Sequence, residues 1–357
     1  MALTTVRPQG MGFNTGRRNL IINGAMQIAQ RGTSNTTTNV YLLDRFKTDF
    51  DGGALTNEQV SLTSSDTPYS YGFRKALKLS NTTAGSTAAS DYRRIQQRVE
   101  AQNIATSGWE YTSSSSYITF SFWVKSSVAG TYACNLQSND GTAQNYSFEY
   151  TVSADTWTKV THTAPGGSNI TVNNDNGQGL RIYWWPYLGT NNTTSGHTNE
   201  AWANYNSSSQ TKDFAQNWAS TLNATFFVTG IQLEVGENAS DFEHRSYGEE
   251  LALCQRYYTE IQKASGQAVS ASVIQLCGVF PTEMRTTPSA SLDGALTIWQ
   301  LTVAGSKGQS SSNIGVNSNI NSASVFNAEC ANFSSLTQHQ GVAVAGGDQP
   351  LNFDAEL

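Results

Sequence analysis

Residues 230–258, "GIQLEVGENASDFEHRSYGEELALCQRYY", hold two different local patterns in one stretch. The first part alternates apolar and polar residues, which is typical of a strand. In the second part Ser246 is followed three residues later by Glu249, which is the spacing of a helix capping box. The stretch therefore predicts a final strand, a polar corner and one connecting α-helix over residues 246–265, with Gly266 as its stop.

The apolar side chains of this helix are expected to lie on one face. They follow one another at spacings of four, three, four and three residues, which is the repeat of a single helical stripe. The stripe consists of Tyr247, Leu251, Cys254, Tyr258 and Ile261. Such a stripe must be covered by another part of the chain or by a partner.

The chain before this stretch consists mainly of short alternating segments. In "YITFSFWVK", residues 117–125, Phe120 and Phe122 share one face with apolar neighbours, and Trp123 shares the other face with polar residues. This pattern predicts a half-buried strand. Similar segments are "TYACNLQ", "YSFEYTV", "WTKVTH", "GLRIYWW" and "TFFVTGIQLEV". Many short strands separated by turn residues predict two antiparallel sheets packed face to face over residues 19–245.

The two ends of the chain differ from this body. Residues 1–18 show no sustained periodicity and are interpreted as an extended arm, which either stays loose or docks on a partner. Residues 19–33, "NLIINGAMQIAQRGT", offer a short apolar strand followed by a tight turn at Asn23-Gly24. Residues 266–357 are again β-like and poorer in charge, so they predict a smaller C-terminal β-domain.

Composition restricts the classes of function. The 357 residues are 38% hydrophobic, 11% aromatic and only 13% charged, a mixture that favours ordered β-structure. The formal net charge of -6 argues against nucleic-acid binding, which needs a concentrated basic surface. No run approaches the roughly 18 apolar residues of a membrane span, and the N-terminal residues lack the apolar core of a signal peptide. We therefore expect synthesis in a cytosol, no membrane insertion and free, buried cysteine thiols.

The sequence contains no strong catalytic or metal-binding motif. An HExxH pair, a G-x-S-x-G elbow, a P-loop, a CxxC pair and a dinucleotide glycine fingerprint are all absent. The four histidines show no ligand spacing, and no acidic loop has a spacing diagnostic of calcium. Carboxylate pairs have local explanations, because Glu249 caps a helix and Glu234 lies on the polar face of a strand. We therefore expect no catalytic residues, no metal site and no cofactor.

Aromatic side chains are the better functional lead. Trp184 and Trp185 are adjacent on a predicted strand, so one can lie in the core while the other is exposed or covered by a loop. An exposed ring flanked by Asn and Asp suits a sugar, because the ring covers a C–H face and the polar groups meet the hydroxyls. The candidate glycan-binding residues are Trp185, Tyr187, Trp202 and Tyr205. Alternatively these rings fill the core or a subunit interface, which is the interpretation favoured for Trp184 and Trp218.

Several segments together resemble a family of bacteriophage virion proteins of the tail-fibre type, with a carbohydrate-binding-module-like domain. The likeness covers most of the chain, and residues 230–258 are its most specific part. The other segments that carry it are "NLIINGAMQIAQRGT", "YLLDRF", "FSFWVK", "DTWTKV", "PTEMRTTPSASL" and "NFDAEL". The resemblance implies an all-β protein with a jelly-roll-like β-sandwich, one connecting α-helix and a smaller C-terminal β-domain.

The same resemblance implies a function. It indicates a non-enzymatic structural virion protein of the tail-fibre or appendage type, which attaches to the particle through residues 1–18 and binds a host surface glycan. The expected partners are further copies in a homotrimer and other tail or capsid proteins. The protein would be made in the host bacterial cytoplasm and reside in the virion. Two alternatives stay open: a capsid decoration or head-fibre protein with a purely structural role, and a polysaccharide-degrading tailspike.

Overall fold

The computed structural model describes residues 18–83, 87–302, 305–311, 313–316, 322–344 and 350–357. Within these residues the chain is almost entirely β. The strands are β1 (Ser34–Asn35), β2 (Val40–Leu43), β3 (Phe46–Asp51), β4 (Leu55–Ser61), β5 (Lys75–Asn81), β6 (Tyr92–Glu100), β7 (Tyr117–Ser126), β8 (Gly130–Ser138), β9 (Gln144–Val152), β10 (Thr158–Pro165), β11 (Gln178–Leu188), β12 (Ala203–Asn204), β13 (Thr225–Val235), β14 (Tyr258–Ile261), β15 (Ser265–Ala268), β16 (Ile274–Val279), β17 (Ser289–Leu292), β18 (Leu296–Thr302), β19 (Gly305–Ser311), β20 (Asn313–Val316), β21 (Val325–Ala331), β22 (Gly341–Val344) and β23 (Leu351–Asp354). The helices are α1 (Ala101–Ala105) and α2 (Tyr247–Gln255), and short 3₁₀ turns span Thr67–Tyr71 and Trp218–Ser220.

The chain divides into two compact units. The first contains the described residues 18–25, Thr36–Thr38 and Asp49–His244, and the second contains Met26–Asn35, Asn39–Thr48 and the chain from Arg245 onward. This division differs from the predicted domain ranges, because two short segments near the N-terminus belong to the second unit. The predicted arm over residues 1–18 lies outside the described residues apart from Arg18.

The first unit is an antiparallel β-sandwich. Its strands lie in the order β4-β5-β13-β7-β10 in one sheet and β12-β9-β8-β11-β6 in the other. The sheets share an aromatic core, in which the Phe122 ring meets the Tyr150 and Trp184 rings with centroids 5.3 and 6.2 Å apart. Trp184 and Trp218 are fully buried, which confirms their predicted place in the core. The predicted all-β fold with a jelly-roll-like sandwich is confirmed.

Strand β7 departs from the predicted half-buried pattern. Its apolar face points to the core as expected, but Thr119, Ser121 and Trp123 on the opposite face are buried as well. The reason is a second apolar layer on the outside of the sheet, in which Trp123 packs with Leu62 and Phe73. Alternation along one strand cannot reveal a layer that is contributed by distant segments.

The segment before β1 is buried but does not form the predicted strand. Residues 18–25 run along β13, where the Leu233 carbonyl accepts from the Leu20 amide at 2.9 Å. Asn23 has a φ of 60°, which agrees with the expected tight turn. At Gly24 a Cβ atom would lie 2.1 Å from the Ile231 carbonyl oxygen, so only glycine allows this close approach.

Helix α2 begins as predicted but ends early. The Ser246 hydroxyl accepts from the Glu249 amide and the Glu249 carboxylate accepts from the Ser246 amide, so the capping box is confirmed. After Gln255 the chain forms β14, which pairs with β23. The predicted helix over 246–265 is therefore wrong beyond Gln255, because a strand partner from the end of the chain replaces helical hydrogen bonds there.

The second unit contains two antiparallel sheets. The smaller has the order β14-β23-β17, and the larger has the order β19-β18-β22-β15-β16-β21-β20. Their inward faces form one apolar core, with Leu276 and Ile298 from the larger sheet and Leu351 and Phe353 from the smaller. All four cysteines are free as expected, but Cys277 is exposed where a buried thiol was predicted.

Buried charges fasten the C-terminal residues within the second unit. Arg45 is 1% exposed, pairs with the Glu356 carboxylate and lies 3.4 Å from the centre of the Tyr257 ring. Burial is the largest single influence and lowers the pKa of Arg45, but the charge of Glu356 together with those of nearby Tyr and Cys groups outweighs it and raises the pKa. Breaking such a buried pair typically costs about 3–5 kcal/mol, so we assign this cluster a structural role.

Candidate functional site

A pocket of about 260 Å³ opens on the outer surface of the first unit. It lies over the outward face of β7, on top of the second apolar layer. Its lining residues are Tyr71, Phe73, Ser121, Trp123, Lys159, Gly230, Ser240, Asp241, Phe242 and His244. The volume is slightly below the about 300–1,000 Å³ of pockets for drug-sized ligands, so the pocket suits a group of about one sugar ring.

Two neighbouring strands supply the base of the pocket. Ser121 and Trp123 alternate with core residues along β7, so their side chains leave the sheet on its outer face. Strand β10 pairs antiparallel with β7 and sets Lys159 directly opposite Trp123. The Cβ atoms of such cross-strand pairs lie about 5 Å apart, so the Lys159 side chain begins beside Trp123.

A 3₁₀ turn presents Tyr71 at the rim. The turn spans Thr67–Tyr71, has a proline in its first positions and ends at Gly72, whose φ of 94° is left-handed. The left-handed backbone favours glycine here, and a Cβ atom on Gly72 would also lie in tight contact with the His244 ring, 3.0 Å away. The Tyr71 ring is 56% exposed and its centroid lies 5.1 Å from that of Trp123. The two rings form an aromatic wall in which Tyr71 supplies most of the exposed surface, because Trp123 behind it is only 7% exposed.

Asp66 holds the start of this turn. Its carboxylate accepts hydrogen bonds from the Thr63 amide at 2.9 Å, the Trp157 indole at 2.8 Å and the Lys125 ammonium at 3.3 Å. Burial alone would raise the pKa of Asp66, but these hydrogen bonds outweigh it and lower the pKa to about 2. Asp66 is therefore charged at neutral pH and fixes the turn against β7.

A bulge in β13 makes room for the Phe73 ring, which lines the pocket. The register between β13 and β7 shifts between Thr229 and Gln232, and Gly230 at this bulge has a φ of 62°. A Cβ atom on Gly230 would lie 2.6 Å from Cζ of Phe73. Glycine is needed here for its backbone conformation and for the approach of the phenyl ring.

The polar corner of the 230–258 stretch supplies the opposite wall. Buried Glu234 accepts a hydrogen bond from the Ser240 amide at 2.8 Å, which anchors the corner to β13. Phe242 and His244 then pack against Phe73, with ring centroids 4.8 and 5.2 Å away. His244 Nε2 donates to the Tyr71 carbonyl at 2.9 Å, since a carbonyl can only accept, and this bond closes the rim.

Several polar groups that line the pocket form no hydrogen bond within the described fold. In the part of the chain that the structure describes, no other residue hydrogen-bonds to the Ser121 hydroxyl, the Lys159 ammonium or the Asp241 carboxylate. A hydroxyl, a cation and an anion beside an aromatic wall can hydrogen-bond a ligand that carries both donors and acceptors. The described residues contain no cluster of His, Cys, Asp or Glu that could hold a metal ion.

Trp185 and Tyr187 do not form the stacking surface predicted from the sequence. They are 1% and 7% exposed, and both rings pack against other side chains of the first unit. Trp185 does lie on the face opposite Trp184, but it is covered there by residues that include Phe214. The Trp185 indole donates to the Asn135 side chain at 3.0 Å, and the Tyr187 ring packs against Phe214 at 6.1 Å.

Trp202 and Tyr205 lie apart from the aromatic pocket. Trp202 is half-buried, donates to the Pro165 carbonyl at 2.7 Å and packs on Tyr146 with ring centroids 5.3 Å apart. Tyr205 is 38% exposed. Between them, Asn204 borders a shallow depression lined by amide and hydroxyl side chains. Glycan contact by these two rings stays a prediction.

Sequence reasoning missed the residues that line the pocket. Trp123 had a usable signal, because a tryptophan on the polar face of an alternating strand is unusual. Tyr71, in "TPYSYGF", follows a proline and precedes a glycine, which is the composition of an exposed turn. The sequence pattern predicts the polar corner only as a connection between a strand and a helix. In the structure this corner also supplies Ser240, Asp241 and His244 to the pocket.

No family model matches the chain, and no curated protein sequence matches it. Among solved structures, the enzymatically active domain of tailspike protein 4 from bacteriophage CBA120 has a TM-score of 0.35 and 11% identity, covering 61% of this chain and 21% of that chain. A CBM4 protein has a TM-score of 0.32 and 9% identity over 60% and 98% of the two chains. A family 11 carbohydrate-binding module from Clostridium thermocellum, solved with a mixed-linked tetrasaccharide, has a TM-score of 0.28 and 11% identity over 59% and 98%.

These likenesses are distant. At TM-scores of 0.35 and below they carry no argument about the function of this chain, and the chain spans only about a fifth of the tailspike structure. None of the helices in the described ranges has the length and apolar character needed to cross a bilayer.

Proposed function

We propose that this protein is a non-catalytic glycan-binding protein and that the pocket around Tyr71 and Trp123 is its binding site. One observation carries the proposal: a tyrosine ring that is 56% exposed stands beside a tryptophan and three uncommitted polar groups in one concavity. A sugar offers C–H faces and hydroxyls together, and this wall and these groups match both.

The absence of catalysis is part of the proposal. Glycoside hydrolysis uses two carboxylates about 5–9.5 Å apart across the scissile bond. Among the described residues that line the pocket, Asp241 is the sole carboxylate. A single carboxylate beside Lys159 suits hydrogen bonding to hydroxyls. We therefore place the tailspike alternative last.

We further propose that the protein acts as a tail fibre or appendage of a bacteriophage, as the resemblance of its segments implies. A pocket for about one sugar ring gives weak binding on its own. Several copies on one particle would convert weak contacts into firm attachment to a host surface. The alternative is a capsid decoration or head-fibre role, and immunogold imaging of the particle distinguishes it by showing label on the head instead of the tail.

The binding test compares two tyrosines of similar exposure. Tyr71→Ala removes half of the aromatic wall, and Tyr247→Ala removes a ring that is 60% exposed on helix α2 of the second unit. Full-length protein is first screened on a panel of bacterial surface polysaccharides and oligosaccharides, and each variant is then titrated by calorimetry against the best ligand. We expect Tyr71→Ala to weaken binding roughly tenfold or more, which is about 1.4 kcal/mol, and Tyr247→Ala to leave it unchanged.

Two results would contradict the site and the activity separately. Binding that survives both Tyr71→Ala and Trp123→Ala, in variants with unchanged circular dichroism, would show that another surface holds the glycan. Shortening of the polysaccharide during incubation with the unmodified protein would show that the protein is catalytic.

A further inference from the structure

Among the residues that the structure describes, none forms an apolar layer over the outward face of the seven-stranded sheet in the second unit like the layer over β7. Alternate residues on its strands, such as Leu276 and Ile298, point to the core. The residues between them point away from it. Three large apolar side chains lie on this outward face: Val279 is 72% exposed, Trp299 is 45% exposed and Val325 is 37% exposed. Exposed Cys277 lies on the same face.

The register of the sheet arranges part of this face as a row. Trp299 is paired with Ala343, Ala343 with Ser265, and Ser265 with Cys277. The row therefore runs from a large side chain, over two small ones, to a small thiol. Neighbouring strands lie about 4.8 Å apart, so three intervals separate Trp299 from Cys277 by roughly 14 Å.

The outward face carries little charge although the chain is acidic. Of its side chains that the structure describes, Glu329 on β21 bears a charge, and those on β15, β16, β18 and β22 are neutral. Two copies of a chain with net charge -6 repel each other, so contact between copies is least opposed through a neutral surface. This face meets that condition.

The face is also large enough for a stable contact. Seven strands at about 4.8 Å spacing give a width of roughly 34 Å, and about six residues at 3.3 Å rise give a length of roughly 20 Å. The product is on the order of 700 Å², close to the about 800 Å² per partner of a standard interface. A single saccharide would be held in a concavity, whereas this face is a continuous sheet surface.

We propose that this face binds the same face of a second copy of the chain. A twofold axis along the strands, between β22 and β15, places Trp299 of one copy over Cys277 of the other. The large Trp299 side chain then meets the small Cys277 side chain on both sides of the axis. In the middle, Ala343 of each copy lies over Ser265 of the other. The pairing depends on neither the aromatic pocket nor glycan binding, so the two proposals can fail independently.

The first test measures mass as a function of concentration by analytical ultracentrifugation of the full chain. Trp299→Lys and Val279→Lys each place a charge within the proposed contact, where it would be buried without a partner. We expect each to raise the dissociation constant of the pair by roughly 100-fold or more. Leu222→Lys is the matched control, since Leu222 is 54% exposed in the first unit, and it should not change the mass.

The second test uses the exposed thiol. The other three cysteines are buried, so a maleimide should label Cys277 alone in native protein, and label it more slowly in the associated form. In Trp299→Cys protein a short bismaleimide should join position 299 of one copy to Cys277 of the other. A linker is needed because packed sheets lie about 10 Å apart, beyond the reach of a disulfide.

Three outcomes would overturn the proposal. The unmodified protein could be monomeric at all concentrations, or it could form an oligomer, including the expected trimer, that Trp299→Lys and Val279→Lys leave intact. A monomer whose saccharide binding is lost in Trp299→Lys would show that a glycan occupies this face instead of a second copy. Crosslinking of Trp299→Cys between copies, abolished by Cys277→Ser, would support it.

Discussion

The two outward faces of the sandwich carry similar aromatic side chains in opposite environments. On the β7 face, Tyr71 keeps 56% of its surface exposed beside Trp123. On the β11 face, the Tyr183 and Trp185 rings stack at 5.0 Å and are 3% and 1% exposed. The aromatic side chains of the two faces are therefore covered to different extents: Tyr71 on its turn is open to solvent, whereas Trp123, Tyr183 and Trp185 on the strands are buried.

The covering segments explain the difference. On the β11 face the Asn135 amide donates to the Gln210 carbonyl at 2.7 Å, which fastens the covering loop directly over Trp185. On the β7 face the covering corner ends at the hydrogen bond from His244 to the Tyr71 carbonyl, and the Tyr71 ring stays outside it. These hydrogen bonds fix how far each covering segment extends over its sheet. A pocket forms on the β7 face because the covering segment there ends before it reaches the Tyr71 ring.

The largest expected effect comes from removing a ring under the complete cover. Trp185→Ala should lower the free energy of unfolding of the first unit by about 3–5 kcal/mol, because it leaves a cavity and an unpaired Asn135 amide oxygen. Urea unfolding followed by circular dichroism measures the change. Leu222→Ala removes an apolar side chain that is 54% exposed in the same unit and serves as the control. A cost below about 1 kcal/mol for Trp185→Ala would mean that the covered face is not a second core.

The next largest effect is expected at Gly230. Comparing it with Gly236 separates the cost of a strained backbone from the cost of crowding against the Phe73 ring. Gly230→Ala introduces a Cβ atom at positive φ and 2.6 Å from the Phe73 ring, whereas Gly236→Ala does so at a φ of 132° with no heavy atom within 4 Å. We expect a destabilisation of roughly 2–4 kcal/mol for the first and about 1 kcal/mol for the second. Thermal unfolding and glycan titration of both variants provide the comparison. If the two variants lost equal stability, the close packing of Phe73 would not be the reason for a glycine at position 230.

A smaller effect is expected from pH at the turn that presents Tyr71. The folded pKa of Asp66 is about 2, below its ordinary value of 3.8. Its contribution to stability is therefore fully present above the unfolded pKa and is lost as the pH falls through about 2. Thermal midpoints at pH 6, 4 and 2.5 should fall more steeply for the unmodified protein than for Asp66→Asn. Parallel curves would show that the Asp66 charge does not hold the turn.

The smallest effect is expected at a ring outside both aromatic clusters. Tyr205→Ala should change the free energy of unfolding by less than about 0.5 kcal/mol, because Tyr205 is 38% exposed. It should also leave glycan affinity unchanged if the Tyr71 pocket carries the binding. Calorimetric titration beside Tyr71→Ala tests this. A loss of affinity in Tyr205→Ala would instead favour the site predicted from the sequence.

Local patterns were sufficient for the fold class and several individual elements. Strand β13 spans Thr225–Val235, the segment predicted from its alternation, and the capping box at Ser246 starts helix α2. These features depend on side-chain period and on contacts between residues three apart, and both can be read from neighbouring letters. The adjacency of Trp184 and Trp185 likewise required that they point to opposite faces.

Only the tertiary structure decided where helix α2 ends and which aromatic rings face solvent. The helix gives way to β14 because residues 351–354, far along the chain, offer strand hydrogen bonds. Trp185 is buried because a loop closes over it, and Tyr71 is exposed because a corner stops short of its ring. The sequence alone determined which side chains leave each sheet on its outer face. Whether those side chains are covered depends on contacts between distant segments, which no local period encodes.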